Sequence, residues 1–250
     1  MSNAADRKRK IEAAAPRRGD GGANRIIVAT VVVLVVLAAV VTAVVLGSSG
    51  TNQAASAGGS AIPKNAAGMG AGIVVNPGAP ATVPTMDLYE DFQCPICGRF
   101  EQLFGAQVAQ LATQNSVRLV VHTLSFLDDN LRNDSSNRAA NAAACAADDG
   151  KFLEYHAAVF AGQPAKEGDG YTDAQLATFA QTAGITGPAL QTWQKCYSSR
   201  AHNQYVRSVQ TQSDKDGITG TPTIKLNGKA VDLSTLTPQS LDATVKADTK

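Results

Sequence analysis

The chain has 250 residues, with 22 Lys or Arg against 21 Asp or Glu, for a formal net charge of +1. That near balance excludes a strongly basic nucleic-acid binder. One long apolar run and four cysteines carry most of the information about function.

Residues 1–25 form a basic tail, in which Arg7, Lys8, Arg9, Lys10, Arg17, Arg18 and Arg25 stand against Asp6, Glu12 and Asp20. Residues 26–46, IIVATVVVLVVLAAVVTAVVL, then run for 21 residues without a charge. At about 1.5 Å per residue such a helix is about 31 Å long, enough to cross a bilayer core of about 30 Å. Valines are weak helix formers in water, but a backbone in lipid must satisfy its own hydrogen bonds. A cleaved signal peptide is the alternative. Its apolar core is shorter, and the nearest small-x-small site, Ala55-Ser56-Ala57, lies well past Leu46. The expectation is a retained transmembrane helix, with the basic tail in the cytoplasm and everything after Leu46 outside the cell membrane. Setting the tail aside leaves 15 basic and 18 acidic residues, so no nucleic-acid partner is expected. Residues 47–72 are rich in Gly, Ala and Ser, show no periodic apolar face, and read as a flexible linker. Residues 73–250 suffice for one domain with its own core.

Within that domain Ile73 to Val75 suggests a short strand, Asn76-Pro77-Gly78 a turn, and Thr82 to Tyr89 a second strand. The stretch YEDFQCPICGRF follows and holds Cys94 and Cys97. From there Phe100, Leu103, Phe104, Val108 and Leu111 recur at helical spacing, so the Cys-x-x-Cys pair sits at a strand-to-helix junction. Residues 116–126 read as a third strand. A helical block over about 130–216 comes next. It contains alanine-rich Asn137 to Ala147, an apolar face through Phe152, Tyr155, Val159 and Phe160, and a capping box at Thr172 and Gln175. Further helices are expected from near Thr186 and Pro188, and from Ser199 to Asp214. Thr221 to Leu226, Asn227-Gly228 and Lys229 to Val231 read as a hairpin, and Thr237-Pro238 opens a last helix. The order is that of an α/β fold with a right-handed parallel crossover, interrupted by a helical insertion.

All four cysteines, Cys94, Cys97, Cys145 and Cys196, fall in the expected exported part, where disulfides are the default. Four cysteines allow three pairings. A four-cysteine zinc site usually needs a second close pair, which Cys145 and Cys196 do not make, so no metal is expected. As a staple, the short Cys94–Cys97 ring would remove little unfolded-state entropy. Thiol–disulfide exchange is the better use. Cys94, just before Pro95, lies at a helix N-terminus, whose free N–H groups and dipole favour a thiolate. Cys94 is therefore the expected nucleophile, and Cys97, one turn on, the resolving thiol. Their disulfide is the redox group, and no other cofactor is expected.

Cys94-Pro95-Ile96-Cys97 after a strand, the helical insertion, and Gly220-Thr221-Pro222-Thr223 before the closing hairpin together resemble the thioredoxin superfamily, specifically its DsbA-like branch. YEDFQCPICGRFE, GKFLEYHAAVF and GITGTPTI carry that likeness, and the layout resembles the membrane-anchored DsbA-like proteins of actinobacteria. The resemblance covers residues 73–250. It implies a thioredoxin fold and a protein thiol:disulfide oxidoreductase that introduces disulfides into exported proteins. It also implies a membrane quinone-linked reoxidase of the DsbB or vitamin K epoxide reductase-like type, and a monomer.

The resemblance further makes Thr221-Pro222 a cis-proline loop beside the cysteines, where Thr221 offers its backbone to a substrate strand. Pro95 and Ile96 tune the redox balance, and Ile96 brings no side-chain donor to the thiolate. Thioredoxin-like proteins often carry a buried acid six residues before the first cysteine, where this chain has Leu88. Glu90 shares the strand parity of Leu88 and is the candidate proton acceptor for Cys97. The alternative leaves Glu90 and Asp91 as solvated acids. Relatives of this type carry an extra cysteine pair in the insertion, which implies a structural disulfide between Cys145 and Cys196; two buried thiols are the alternative. Trp193 reads as a core anchor, and His122, His156 and His202 as structural or exposed. Arg99 is either a surface residue or an electrostatic aid to the thiolate. A disulfide isomerase or reductase, for example in cytochrome maturation, and a tethered substrate-binding or chaperone module are the competing functions.

Overall fold

The computed structural model describes residues 58–248. The basic tail, the expected transmembrane helix and the start of the expected linker lie outside the described residues. Among those described, no helix is long and apolar enough to cross a membrane.

Strands β1 (Ile73–Val74), β2 (Thr85–Glu90) and β3 (Arg118–Thr123) form one sheet with β4 (Thr223–Leu226) and β5 (Lys229–Ala230), in the order β1-β3-β2-β4-β5. β2 and β3 are parallel, with Leu88 beside Val121, and the other neighbours are antiparallel. β2 begins at Thr85 rather than Thr82, because Pro84 has no N–H to give the ladder; its carbonyl instead accepts from the Arg118 N–H at 2.9 Å. Asn227 and Gly228 both take positive φ, as a tight hairpin turn requires. Buried Met86, Leu88, Leu119, Val121, Ile224 and Leu226 place the sheet in the centre of the core.

The parallel crossover from β2 to β3 runs through α1 (Pro95–Phe100), a π-helical turn (Glu101–Gly105) and α2 (Ala106–Thr113). The insertion follows: α3 (Leu127–Leu131), α4 (Ser135–Asp148), α5 (Phe152–Ala161), α6 (Asp173–Thr182), α7 (Gly187–Ser198) and α8 (Asn203–Lys215), with α9 (Pro238–Ala247) closing the chain. α4 is buried from Ser135 to Ala147 apart from half-buried Arg138. Its alanines lack bulk, so neighbouring helices approach it from several sides. The Trp193 indole N–H on α7 donates to the Ala142 carbonyl at 3.0 Å, and Cys145 is joined to Cys196 by a disulfide. Thr172 and Gln175 form a capping box at the start of α6.

Residues 58–72, part of the expected linker, lie against this body. Gly59 and Ala61 donate to the carbonyls of Arg200 and Ala201, and the Tyr205 hydroxyl donates to Ala71 at 2.6 Å. His202 bridges the Ala61 carbonyl and the Asp148 carboxylate, each at 2.8 Å. Composition alone read this segment as free chain because its attachment runs through backbone groups, which every residue has.

Candidate active site

β2 delivers the chain to the front of the sheet, and Cys94 occupies the N-cap of α1 in an extended conformation with Pro95 in the first turn. The Cys94 carbonyl accepts from Gly98 N–H at 3.1 Å, and Cys94 N–H donates to Asp91 at 2.9 Å. The approach loop is braced from the insertion. Gln163 donates through its amide to the carbonyls of Phe92 and Cys94, and the Tyr171 hydroxyl donates to Phe92 at 2.7 Å. Gly98 is glycine for a steric reason: a Cβ there would stand 2.2 Å from Gln163 Oε1.

Cys94 and Cys97 are both free thiols, so the site is in its dithiol form. Their environments push them apart. A hydrogen bond from the Cys97 thiol is the largest influence on Cys94; the Thr221 side chain and the backbone of Cys97 and Ile96 add to it, and partial burial opposes. Together they lower Cys94 from 9.0 to about 6. Burial, first, then the bond to Cys94 and the charge of Glu90, push Cys97 far above its usual range. Cys94 is the group that ionises and Cys97 the group that keeps its proton. Ile96 contributes through its backbone, while its side chain is 59% exposed beside the cysteines.

The Thr221–Pro222 peptide bond is cis and lies across from the thiols, with Cys94 Sγ 3.6 Å from the Thr221 carbonyl oxygen. The Thr221 hydroxyl is buried without a partner of ordinary hydrogen-bond geometry, close enough to lower the Cys94 thiol.

Glu90 and Asp91 are 1% and 0% exposed, which removes the solvated-acid alternative. Asp91 is a scaffold group: it accepts from the Ser136 hydroxyl at 2.6 Å and from the N–H groups of Gln93 and Leu127. Burial lifts Asp91 to about 7 against those bonds. Glu90 shares a 2.9 Å hydrogen bond with His156 on α5. Burial, then the charge of Cys94, raises Glu90 well above the usual carboxylate range, and burial lowers His156. The sequence reading made His156 structural or exposed and missed its place beside Glu90, and it did not single out Gln163. A lone histidine on a helix carries no spacing signal, and neither residue is near the motif along the chain. Arg99 lies on the exposed side of α1, and His122 stacks on Tyr89 and bonds Asp87, away from the thiols.

The sequence model of the family described as Thioredoxin matches residues 72–247. The chain is similar to the oxidized crystal form of DsbA from Mycobacterium tuberculosis (Mtb), with 32% identity, 70% of this chain and 87% of that chain covered, and a TM-score of 0.58. It is similar also to the reduced form of the disulfide bond oxidoreductase DsbG from Mycobacterium tuberculosis, at 30% identity, 72% and 88% coverage and a TM-score of 0.60. Among curated proteins it resembles serine/threonine-protein kinase PknE of Mycobacterium tuberculosis, 29% identical over 120 residues. That match covers 45% of this chain, and the chain spans about a fifth of the length of the curated relatives it matches.

Proposed function

This chain belongs to the thioredoxin family as a DsbA-like thiol:disulfide oxidoreductase, and from that premise we propose that it introduces disulfides into proteins exported across the cell membrane. The observation that carries this direction is the contrast between Cys94, lowered to about 6, and Cys97, held neutral by burial. A stabilised thiolate favours the dithiol form, and an enzyme whose dithiol is favoured gives its disulfide away.

A substrate thiolate attacks Cys94 Sγ of the Cys94–Cys97 disulfide, and Cys97 leaves with the electron pair. A second substrate thiolate then attacks the first substrate sulfur in the mixed disulfide, forms the substrate disulfide and releases the Cys94 thiolate. The substrate dithiol is oxidised and the enzyme disulfide reduced, two electrons in all. Thr221 offers backbone groups to an extended substrate, Pro222 keeps that edge from pairing with the enzyme's own strands, and Pro95 and Ile96 set the local geometry. Glu90 takes the proton of Cys97 when that thiol must act. The Cys145–Cys196 bridge steadies the insertion that supplies His156, Gln163 and Tyr171.

In this reading residues 26–46 hold the enzyme in the membrane as a monomer, with residues 1–25 in the cytoplasm and the catalytic domain outside. A quinone-linked membrane protein of the DsbB or vitamin K epoxide reductase-like type reoxidises it. The apolar run and the basic excess before it support this placement. Cys97→Ala tests the function. Without a resolving thiol, mixed disulfides between Cys94 and exported proteins should accumulate on non-reducing gels. None accumulating would leave a binding module and sink the reading.

A further inference from the structure

Glu90 and His156 lie buried behind the cysteines, and the line of polar groups continues past them. His156 Nε2 is 2.9 Å from Glu90 Oε2, and on the far side of the ring His156 Nδ1 is 3.9 Å from Glu101 Oε2. The side chains of Glu90 and His156 are 1% and 3% exposed, whereas that of Glu101 is 11% exposed. The rings of Phe92, Phe152 and Phe160 pack around the imidazole. Two buried atoms in the line have no partner, Glu90 Oε1 and His156 Nδ1. An unpartnered buried polar atom is costly, and sites that keep one often use it. Glu101 and His156 both line a cavity of about 290 Å³ that opens between the π-helical turn and α5.

The backbone makes room for this line. Glu101 opens the π-helical turn Glu101–Gly105, an irregularity common at functional sites. A Cβ at Gly105 would stand 2.4 Å from Glu101 Oε2, so only glycine leaves the carboxylate where it is. Glycine inside a helix is less favourable than alanine, and here it clears the space beside Glu101.

We propose that Glu90, His156 and Glu101 form a proton relay that connects Cys97 to the cavity between the π-helical turn and α5. The inference rests on the exchange reading above and extends it beyond Glu90. During reoxidation Cys94 is held in a mixed disulfide with an oxidant, and Cys97 must lose its proton to attack it. The Cys97 proton passes to Glu90 Oε1 as the proton on Glu90 Oε2 passes to His156 Nε2 and the proton on His156 Nδ1 passes to Glu101. One proton has moved from Cys97 to Glu101; Glu90 and His156 end neutral, as they began, and a carboxylate rotation closes the 3.9 Å gap. The Cys97 thiolate then bonds to Cys94 Sγ, and the oxidant's sulfur leaves with the electron pair. Burial is the main cause that lifts Glu101 to about 7, which suits it to take and release a proton near neutral pH. The charges acting on these groups are those of Cys94 and one another; Asp91, at the end of β2, is tied to Ser136, Gln93 and Leu127.

The test uses oxidised glutathione as the probe, reacted with the reduced domain and quenched in acid, so that mass analysis separates mixed-disulfide formation at Cys94 from its resolution by Cys97. His156→Gln keeps a polar partner for Glu90 but cannot pass a proton across a ring. Glu101→Gln keeps the shape but not the acceptor, and Gly105→Ala displaces the carboxylate without changing a titratable group. The parent's resolution rate should rise through pH about 7 as Glu101 ionises; each variant should slow resolution about tenfold relative to mixed-disulfide formation and remove that rise. If His156→Gln fails to fold, Glu101→Gln at the cavity mouth decides alone. Parent-like resolution and pH profile in these variants overturn the relay, while slowing confined to Glu90→Gln overturns it and leaves Glu90 as acceptor. A parent that forms no mixed disulfide at all overturns the exchange reading, and the relay with it.

Discussion

Cys94 gathers several weak influences on one sulfur, and its titration shows their sum. The thiol of Cys97, the side chain of Thr221 and the N–H groups at the start of α1 all act on it, against partial burial. Its value in the folded dithiol, about 6, lies below the 9.0 of an unperturbed thiol. Ionisation therefore stabilises the folded dithiol fully above about pH 9, and that stabilisation is lost as pH falls through about 6. The disulfide form has no thiol to ionise and shows no such dependence. Iodoacetamide should therefore alkylate Cys94 with a midpoint near pH 6 and leave Cys97 nearly untouched. A midpoint above about 8 would mean an ordinary thiol. At this scale Cys94 and Cys97 were legible, because a Cys-x-x-Cys before a helix is a local signal, and strand parity gave Glu90 its inward face but not its partner. His156 and Gln163 were not, because their roles arise only when α5 and the segment after it fold back over the motif.

The helical insertion is the element that turns a strand-helix junction into a site. α4 provides a buried platform of small residues, α5 carries His156, and the segments after it supply Gln163 and Tyr171. The bridge between Cys145 and Cys196 ties α4 to α7 across 51 positions. In the chain-entropy picture closing a loop of that length is worth about 4 kcal/mol. Cys145→Ala with Cys196→Ala should lower the unfolding free energy of the domain by about that amount in urea titrations. A loss under about 1 kcal/mol would mean that packing around Trp193 holds the two helices without it. Caps and turns were readable because they are short-range: Thr172 with Gln175, Thr237 with Pro238, and Asn227-Gly228 all act within four residues. The packing of residues 58–72 was not readable, since those contacts run to α8 and the turn from Arg200 to His202, far along the chain.

At the scale of the whole molecule the sheet order β1-β3-β2-β4-β5 brings two distant segments to one edge of the core. β2 ends at the motif and β4 begins just after Pro222, and their antiparallel pairing, with Tyr89 beside Thr223, sets Thr221 against Cys94. That meeting is why a proline 128 positions after the first cysteine belongs to the same site. The topology was legible as an order of elements, whereas the depth of the acidic pocket behind Cys97 was not. Periodicity places Glu90 on a face, but only the fold shows that His156 and Glu101 close over it.

The direction of electron flow is the central claim, and the equilibrium of the Cys94–Cys97 pair with glutathione tests it most directly. The stabilised Cys94 thiolate favours the dithiol, so the pair should be strongly oxidising, at a potential nearer about −120 mV than about −270 mV. A value near about −270 mV would mark a reductase and contradict the assignment.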